Sequence, residues 1–479
     1  MTQPNVILLV LDAVRADHIS TYRNGHATTP NLDSLMNDAT VYEKAFTNSN
    51  WTGTSHGTMF TGRLPSDTGV HGDNLELPMN YSTLPEVMKE AGYRTFGMSA
   101  GAHIRAERGY DRGIDEYKET YRISPSKDFF SGVLADSAFR RQALFSSIKG
   151  PDKKTLFKFE SLKNWIDDGE RPFFGFINAK TAHHPYNPPR PHKSRFCTEL
   201  KRPRYQFIEE IFGDDRGEYQ SLPGTDWERL KSLSYEYPLL GGEFEPTDTE
   251  WEIIKSWYDG AIHYMDQRIG EFTDWLRRRN QLDNTYLFIT ADHGEYFGEH
   301  GLEKHYYGMH EPVLHVPLIV HGPGESGETV SKPVTLADLY PTIVEIATGT
   351  TPELSQAVSL RASDEIESRE YVFAELGAVA PDGISNHHPS FDDEGYGIPT
   401  QVVRDDTFKL IHRQDGHVEL YRWRDDPAES QEISDRSPEV VDRLTAVLNE
   451  QLGELSSEAL SEEIDDPNLK NHLEDLGYM

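Results

Sequence analysis

Asp12 closes the apolar run Val6 to Leu11 in NVILLVLDAVRAD, and Asp292-His293 close a second run, Tyr286 to Thr290, in NTYLFITADHGEYFGEHG. Carboxylates and imidazoles are ligands for a divalent cation, and both groups stand where an apolar β run gives way to a loop. In an open α/β sheet, ligands bind beyond the carboxyl ends of the strands, so two such ends can meet at one ion. The chemistry implied is metal-assisted hydrolysis. Taken singly each residue is ordinary, because a strand-end Asp commonly caps the following turn. Between them lies NSNWTGTSHGTMFTGRLPSDTGVHGDN (Asn48 to Asn74), dense in hydroxyls, Gly and His, a third part for one site.

That third part ends in FTGRLPSDTGVHG, which resembles the tail of the signature of the sulfatases, within the alkaline phosphatase superfamily. In that family a Cys or Ser opens a C/S-x-P-S-R box nine residues before the Thr of TGR, and it is oxidised to a formylglycine nucleophile. Nine residues before Thr61 stands Thr52, so the box reads Thr52-Gly53-Thr54-Ser55-His56. Formylglycine cannot be made from threonine, and the single cysteine, Cys197, lies in SRFCTEL outside any such box. The resemblance therefore implies an unmodified Thr52 alkoxide, acidified by direct contact with the cation, as in phosphatase and phosphodiesterase branches. The implied ligand set is Asp12, Thr52, Asp292 and His293 around one divalent ion (Ca, Mg, Mn or Zn). Sulfatases usually carry a second Asp after the first; here it is Ala13. A single early Asp with a late Asp-His resembles phosphonate monoester hydrolases and phosphodiesterases more than arylsulfatases.

Two histidines are candidates for handling charge or protons. In RPFFGFINAKTAHHPYNPP, His183 falls where the family's H-x-P-Y segment carries its leaving-group-side histidine, and imidazole suits that work because its ordinary pKa is near neutrality. His184 reads as a bystander. His305, twelve residues after His293, falls where relatives place a Lys or His against the anionic ester oxygens. His300, His310 and His315 read as no more than a His-rich loop. His56 replaces the box Arg and is expected to orient Thr52. Asn74 could donate to a substrate oxygen, and Arg63 is expected to brace its loop. Asp259 and His263, spaced i, i+4 on a helix, form a possible second ligand pair, or else ordinary interior helix residues.

At 479 residues the chain exceeds the roughly 250 to 300 at which single cores stop growing, so a large unit with a smaller appended one is expected. The expected division is a catalytic domain over 1–370, a small α+β subdomain over 371–455 and an acidic tail over 456–479. Eighty acidic against 47 basic residues give a net charge of −33, dispersed along the chain, which resembles a protein adapted to high intracellular salt. That charge disfavours nucleic acid as a partner. No apolar run approaches the ~20 residues of a membrane helix, and MTQPN lacks a basic, apolar leader. With a single cysteine this fits the cytoplasm.

The elements that must position these residues are apolar runs alternating with helical patterns. Val6–Leu11, Thr95–Ala100, Phe173–Asn178, Tyr286–Thr290 and Val316–Val320 read as buried strands of a large, mostly parallel sheet covered on both faces by helices. Helices are expected over Thr29–Asn37, Leu84–Ala91, Trp251–Arg279, Leu336–Ala347 and Glu439–Leu452. Arg190–Thr247 reads as an insertion that shapes a pocket or an oligomer contact. Thr400–Asp435 reads as two or three short strands, and VELYRWRDDPAESQEIS resembles the sulfatase close, a small antiparallel sheet with one helix. The fold implied is alkaline phosphatase-like. The function implied is hydrolysis of a sulfate or phosphate ester, on a small molecule or glycan, through a covalent Thr52 intermediate. A phosphodiesterase, phosphonate hydrolase or transferase of the same fold is the alternative within enzymes, and a non-catalytic anion-binding protein the alternative outside them.

Overall fold

The computed structural model describes residues 3–22, 27–72, 74–122, 141, 152–169, 172–197, 227–379 and 396–453. The acidic tail beyond Ser456 and positions 198–226 of the expected insertion lie outside the described residues.

Among the described residues, eight strands form the central sheet: β1 Asn5–Leu11, β2 Ala39–Tyr42, β3 Arg94–Ser99, β4 Glu116–Glu119, β5 Phe173–Ala179, β6 Thr285–Thr290, β7 Leu318–His321 and β8 Thr329–Val330. Their order is β8-β2-β7-β6-β1-β5-β3-β4. From β6 to β4 the pairing is parallel, with Val6 of β1 set against Tyr286 on one side and Phe174 on the other. Strand β1 has no solvated face: all seven of its residues are buried, which is why it reads as an unbroken apolar run. The parallel strands β1, β5 and β6 therefore stop at one edge of the sheet, and Asp12, Lys180 and the Asp292 segment emerge there together.

The expected strand Val316–Val320 is divided. Val316 pairs with Ala45 in a separate three-stranded sheet, whereas Leu318–His321 joins the central sheet antiparallel to both β6 and β2. Pro317 lies at the break, where it has no N–H to give to a ladder.

The helices that frame the two sheets include α1 Thr52–Thr61, α2 Leu84–Glu90, α3 Thr155–Asp167, α4 Asp248–Arg278, α5 Leu339–Thr348 and α6 Pro438–Gln451. Helix α4 opens on a capping box in which Thr247 and Glu250 satisfy each other's backbone N–H groups. Its buried Asp266 accepts from the N–H groups of Asn31 and Leu32, clamping the start of the helix Pro30–Leu35 to the middle of α4. The expected helix Leu336–Ala347 begins instead as a 3-10 turn, Leu336–Asp338, before α5.

A second sheet is wholly antiparallel: β9 Val372–Leu376, β10 Thr400–Arg404, β11 Lys409–Arg413 and β12 Val418–Tyr421. Leu444 and Leu448 of α6 pack on Val403, Leu410 and Leu420 beneath it. Glu311 of the larger unit meets this sheet through buried charge, with Arg404 at 2.5 Å and Lys409 at 3.3 Å, while Lys409 also meets Glu429 at 2.5 Å. Such a cluster is stable because each charge removed from water faces an opposite one. No described helix is long and apolar enough to cross a membrane.

Candidate functional site

Asp12 follows the last residue of β1, and the backbone turns sharply at once. Ala13 has φ +63°, a conformation that costs a residue with a Cβ on the order of 1 kcal/mol. It is held there from both sides: its N–H donates to Asp292 Oδ1 at 3.1 Å and its carbonyl accepts from the Tyr258 hydroxyl at 2.6 Å. Asp12 Oδ2 accepts from Asn178 Nδ2 of the neighbouring β5 at 3.0 Å. Asp292 Oδ1 also accepts the N–H of His293 at 3.0 Å. One oxygen of each carboxylate is thereby committed. The other, Asp12 Oδ1 and Asp292 Oδ2, is buried with no hydrogen-bond partner.

Both side chains are fully excluded from solvent. Two buried carboxylates with orphaned oxygens aimed at a common space cost several kcal/mol unless a cation lies between them. His293 completes the group, with ligand-type atoms of all three residues within 4.8 Å of one another. Its Nδ1 donates to the Gly294 carbonyl at 2.9 Å, which leaves Nε2 as the atom that could coordinate a cation. Gly294 is required by space: a Cβ there would stand 2.0 Å from the Pro312 carbonyl oxygen. An oxygen-rich set with one imidazole fits a divalent cation such as Ca, Mg, Mn or Zn.

Thr52 comes to this group from the other direction. It is the first residue of α1, whose ten residues are all buried, and its Oγ1 lies 3.1 Å from His293 Nε2. A helix N-terminus carries partial positive charge and unpaired N–H groups, so an anion developing at Thr52 is favoured. His56, one turn later, gives its Nδ1 proton to the Thr52 carbonyl at 2.7 Å, while its buried Nε2 has no protein partner. Burial pushes the His56 pKa down, against the pull of Asp292 3.7 Å away. The TGR tail serves the helix rather than the site. Gly62 ends α1 in the left-handed region (φ +66°), donating to Thr58, and Arg63 lies over the Tyr81 ring.

His183 and His305 are also here. The His305 ring stacks on His293 with centroids 4.1 Å apart and meets His183 at 4.9 Å. Both are buried, and that burial holds their pKa values well below the ordinary imidazole range. Together with His184 and Glu295 they form a second cluster of ligand-type atoms.

Other expected residues are elsewhere. Asn74 is exposed and donates to the Gly69 carbonyl, closing its own loop. Asp259 binds His18 Nδ1 at 2.5 Å while His263 Nδ1 meets the Thr28 carbonyl, so the two point to different partners and belong to neither cluster. Conversely, three basic side chains and one acid were not anticipated. Lys180 stands directly after β5 and interacts electrostatically with Asp12, Asp292 and Glu295. Lys153 donates to the carbonyls of both His183 and His184. Lys158, fully buried on α3, is pushed down to about 7 by desolvation. Lys180 was legible by the strand-end argument that singles out Asp12. Glu295, and His184 which faces it at 3.6 Å, sit in irregular loops where no periodicity marks them.

A sequence model of the sulfatase family matches residues 4–350, and one for the C-terminal region of N-sulphoglucosamine sulphohydrolase matches 298–458. The chain is 25% identical over 455 residues to a sulfatase of Formosa agariphila, covering 89% of this chain and 82% of that protein. It is 26% identical to arylsulfatase K of Bos taurus, covering 92% and 80%. Its fold is similar to that of the phosphonate monoester hydrolase of Agrobacterium radiobacter (TM-score 0.67, 20% identity, 93% of this chain and 94% of that one). A protein solved with its substrate D-glucosamine-2-N,6-O-disulfate is equally similar (TM-score 0.67, 18% identity, 94% and 97%). The family match alone runs from strand β1, which Asp12 follows, past helix α5, well over half of the chain, and the protein belongs to the sulfatase family of ester hydrolases.

Proposed function

We propose that the protein cleaves an anionic sulfate or phosphate ester, with Thr52 attacking the sulfur or phosphorus and carrying the transferred group until water releases it. The observation that supports this most directly is the meeting of Thr52 Oγ1 and His293 Nε2 beside the two orphaned carboxylate oxygens of Asp12 and Asp292. Asp12, Asp292, His293 and Thr52 would hold one divalent cation, which when bound lowers the pKa of the hydroxyl and polarises the ester oxygens. The chain's own groups supply the rest. His56 holds the first turn of α1 through the Thr52 carbonyl, so the hydroxyl keeps one position. Lys180 borders the space that the anionic oxygens would occupy and offsets their charge, with the neutral His305 ring beside the ester. His183, neutral and with its Nδ1 proton held by the His184 carbonyl, offers Nε2 as an acceptor, so it takes up the proton that Thr52 gives up and passes it to the departing oxygen.

The substrate class that fits is a small molecule or sugar bearing the ester. Phosphodiester or phosphonate monoester cleavage is the second reading, favoured by the unoxidisable Thr52 and the absence of a second Asp at Ala13. The test is an assay at high salt with aryl sulfate, aryl phosphate and bis-aryl phosphate, followed by acid quench and mass spectrometry of the peptide carrying Thr52. A sulfuryl or phosphoryl adduct on Thr52, lost in Thr52→Ala, is expected. Full turnover by Thr52→Ala would overturn the assignment.

A further inference from the structure

The buried carboxylates around the site are of two kinds. Asp12 and Asp292 each leave an oxygen without a hydrogen-bond partner, whereas Glu295, equally buried, has both engaged. Its Oε2 accepts from the Tyr186 hydroxyl at 2.6 Å, and its Oε1 lies 3.0 Å from His305 Nδ1 and 3.6 Å from His184 Nδ1. Its backbone is fixed as well: the N–H donates to the Pro312 carbonyl, and the carbonyl accepts from the Arg15 guanidinium. A carboxylate so satisfied does not call for a cation. It acts on the imidazole beside it.

We propose that Glu295 is a positioning residue, which by accepting the Nδ1 proton of His305 fixes that ring's tautomer and angle so that Nε2 addresses the bound ester. The inference rests on the reading of His305 as a group that touches the ester. With Nδ1 donating to Glu295, Nε2 is the nitrogen turned to the ester, where as an acceptor it takes a hydrogen bond from a substrate hydroxyl or from the water that releases the transferred group. The ring plane is set by stacking on His293, so imidazole, carboxylate and Tyr186 form one braced unit behind the site. Without the carboxylate, His305 can exchange tautomers and tilt, and a misaligned group acts in the transition state more than in ground-state binding.

The experiment compares Glu295→Ala, Glu295→Gln and Tyr186→Phe with the wild type in kcat, KM, bound metal per chain and imidazole N–H resonances. Glu295→Ala should lower kcat by about 30- to 100-fold. KM should stay within about threefold, as expected for an interaction made in the transition state. Glu295→Gln should recover most of the loss, because the amide oxygen still accepts from Nδ1–H, and Tyr186→Phe should lose less than Glu295→Ala. A slowly exchanging imidazole N–H resonance, assigned by its absence in His305→Gln, should vanish in Glu295→Ala and persist in Glu295→Gln. Loss of a second equivalent of metal in Glu295→Ala would overturn the proposal in favour of a cation held by His183, His184, Glu295 and His305. Equal kcat losses in Glu295→Gln and Glu295→Ala would also overturn it. Should the wild type turn over no ester, the hydrolase reading fails, while the resonance still decides whether Glu295 holds His305.

Discussion

Thr52 Oγ1 and His293 Nε2 lie 3.1 Å apart although 241 positions separate them in the chain, and both side chains are excluded from solvent. The first opens a helix, the second follows a strand, and the sheet edge brings them together. A hydroxyl so placed is replaceable by one other residue. Thr52→Ser keeps the oxygen and should retain turnover within about tenfold, whereas Thr52→Ala should lose on the order of 1000-fold or more in kcat/KM. Both variants should unfold at the wild-type temperature, and steady-state kinetics beside thermal denaturation checks the pair.

Asp12 and Asp292 make a prediction about stability that reverses with the metal. In chelator, Asp12→Asn should melt higher than the wild type, because one of two facing buried charges is gone while the amide oxygen still accepts from Asn178. Added divalent cation should stabilise the wild type by about 2.7 kcal/mol at one hundred times Kd and leave Asp12→Asn nearly unmoved. Calorimetry with and without chelator reads both. A wild type indifferent to cations would show that the orphaned oxygens serve another purpose.

A threonine at the position where the family box opens bears on which ester is preferred. A formylglycine hydrate can expel sulfate by collapsing to the aldehyde, but a threonine ester must be hydrolysed at sulfur or phosphorus. Aryl phosphate mono- or diesters should therefore exceed aryl sulfate in kcat/KM by at least about tenfold, or about 1.4 kcal/mol in barrier. Comparable or faster sulfate turnover would refute this.

Glu375 gives a dependence on pH. Burial pushes its carboxyl up to about 7, against hydrogen bonds from the Ser66 N–H and Gln401. The folded protein thus keeps a proton that the unfolded chain releases near its ordinary value of 4.5. Its contribution to stability is complete below that value and is lost as pH rises toward 7. Glu375→Gln should remove this loss, matching the wild type near pH 4.5 and exceeding it at pH 8 by on the order of 2–3 kcal/mol. Denaturation curves of the two proteins at the two pH values measure the difference.

The net charge of −33 implies strong self-repulsion. Because molar salt shortens the screening length to about 3 Å, the melting temperature should climb steadily with potassium chloride into the molar range. A flat response would mean that the acidity serves solubility alone.

Much of this protein is determined by local pattern. The runs at β1, β3, β5 and β6 are apolar because both faces of a parallel strand are buried, and that demand is visible one strand at a time. The residue after such a strand lies at the sheet's working edge whatever the rest of the chain does, so Asp12 and Asp292-His293 were readable without a structure. Thr52 stood out only through the family resemblance, nine residues before the Thr of TGR, a stretch that folds as α1.

What only the tertiary structure decided depends on loops meeting across the sheet. Asp259 and His263 have ligand spacing on one helix face, yet the neighbours packed there, His18 and Thr28, turn each to a separate bond. Asn74 is near Thr52 in sequence but a left-handed loop folds it back on Gly69. Glu295 and His184 carry no periodicity, and their place behind His305 follows from the close approach of the Gly294 backbone to Pro312, a contact between two irregular segments. Spacing along a chain reports the geometry of a helix or a strand; it does not report which loop will be pressed against which, since that is settled by the packing of the whole core.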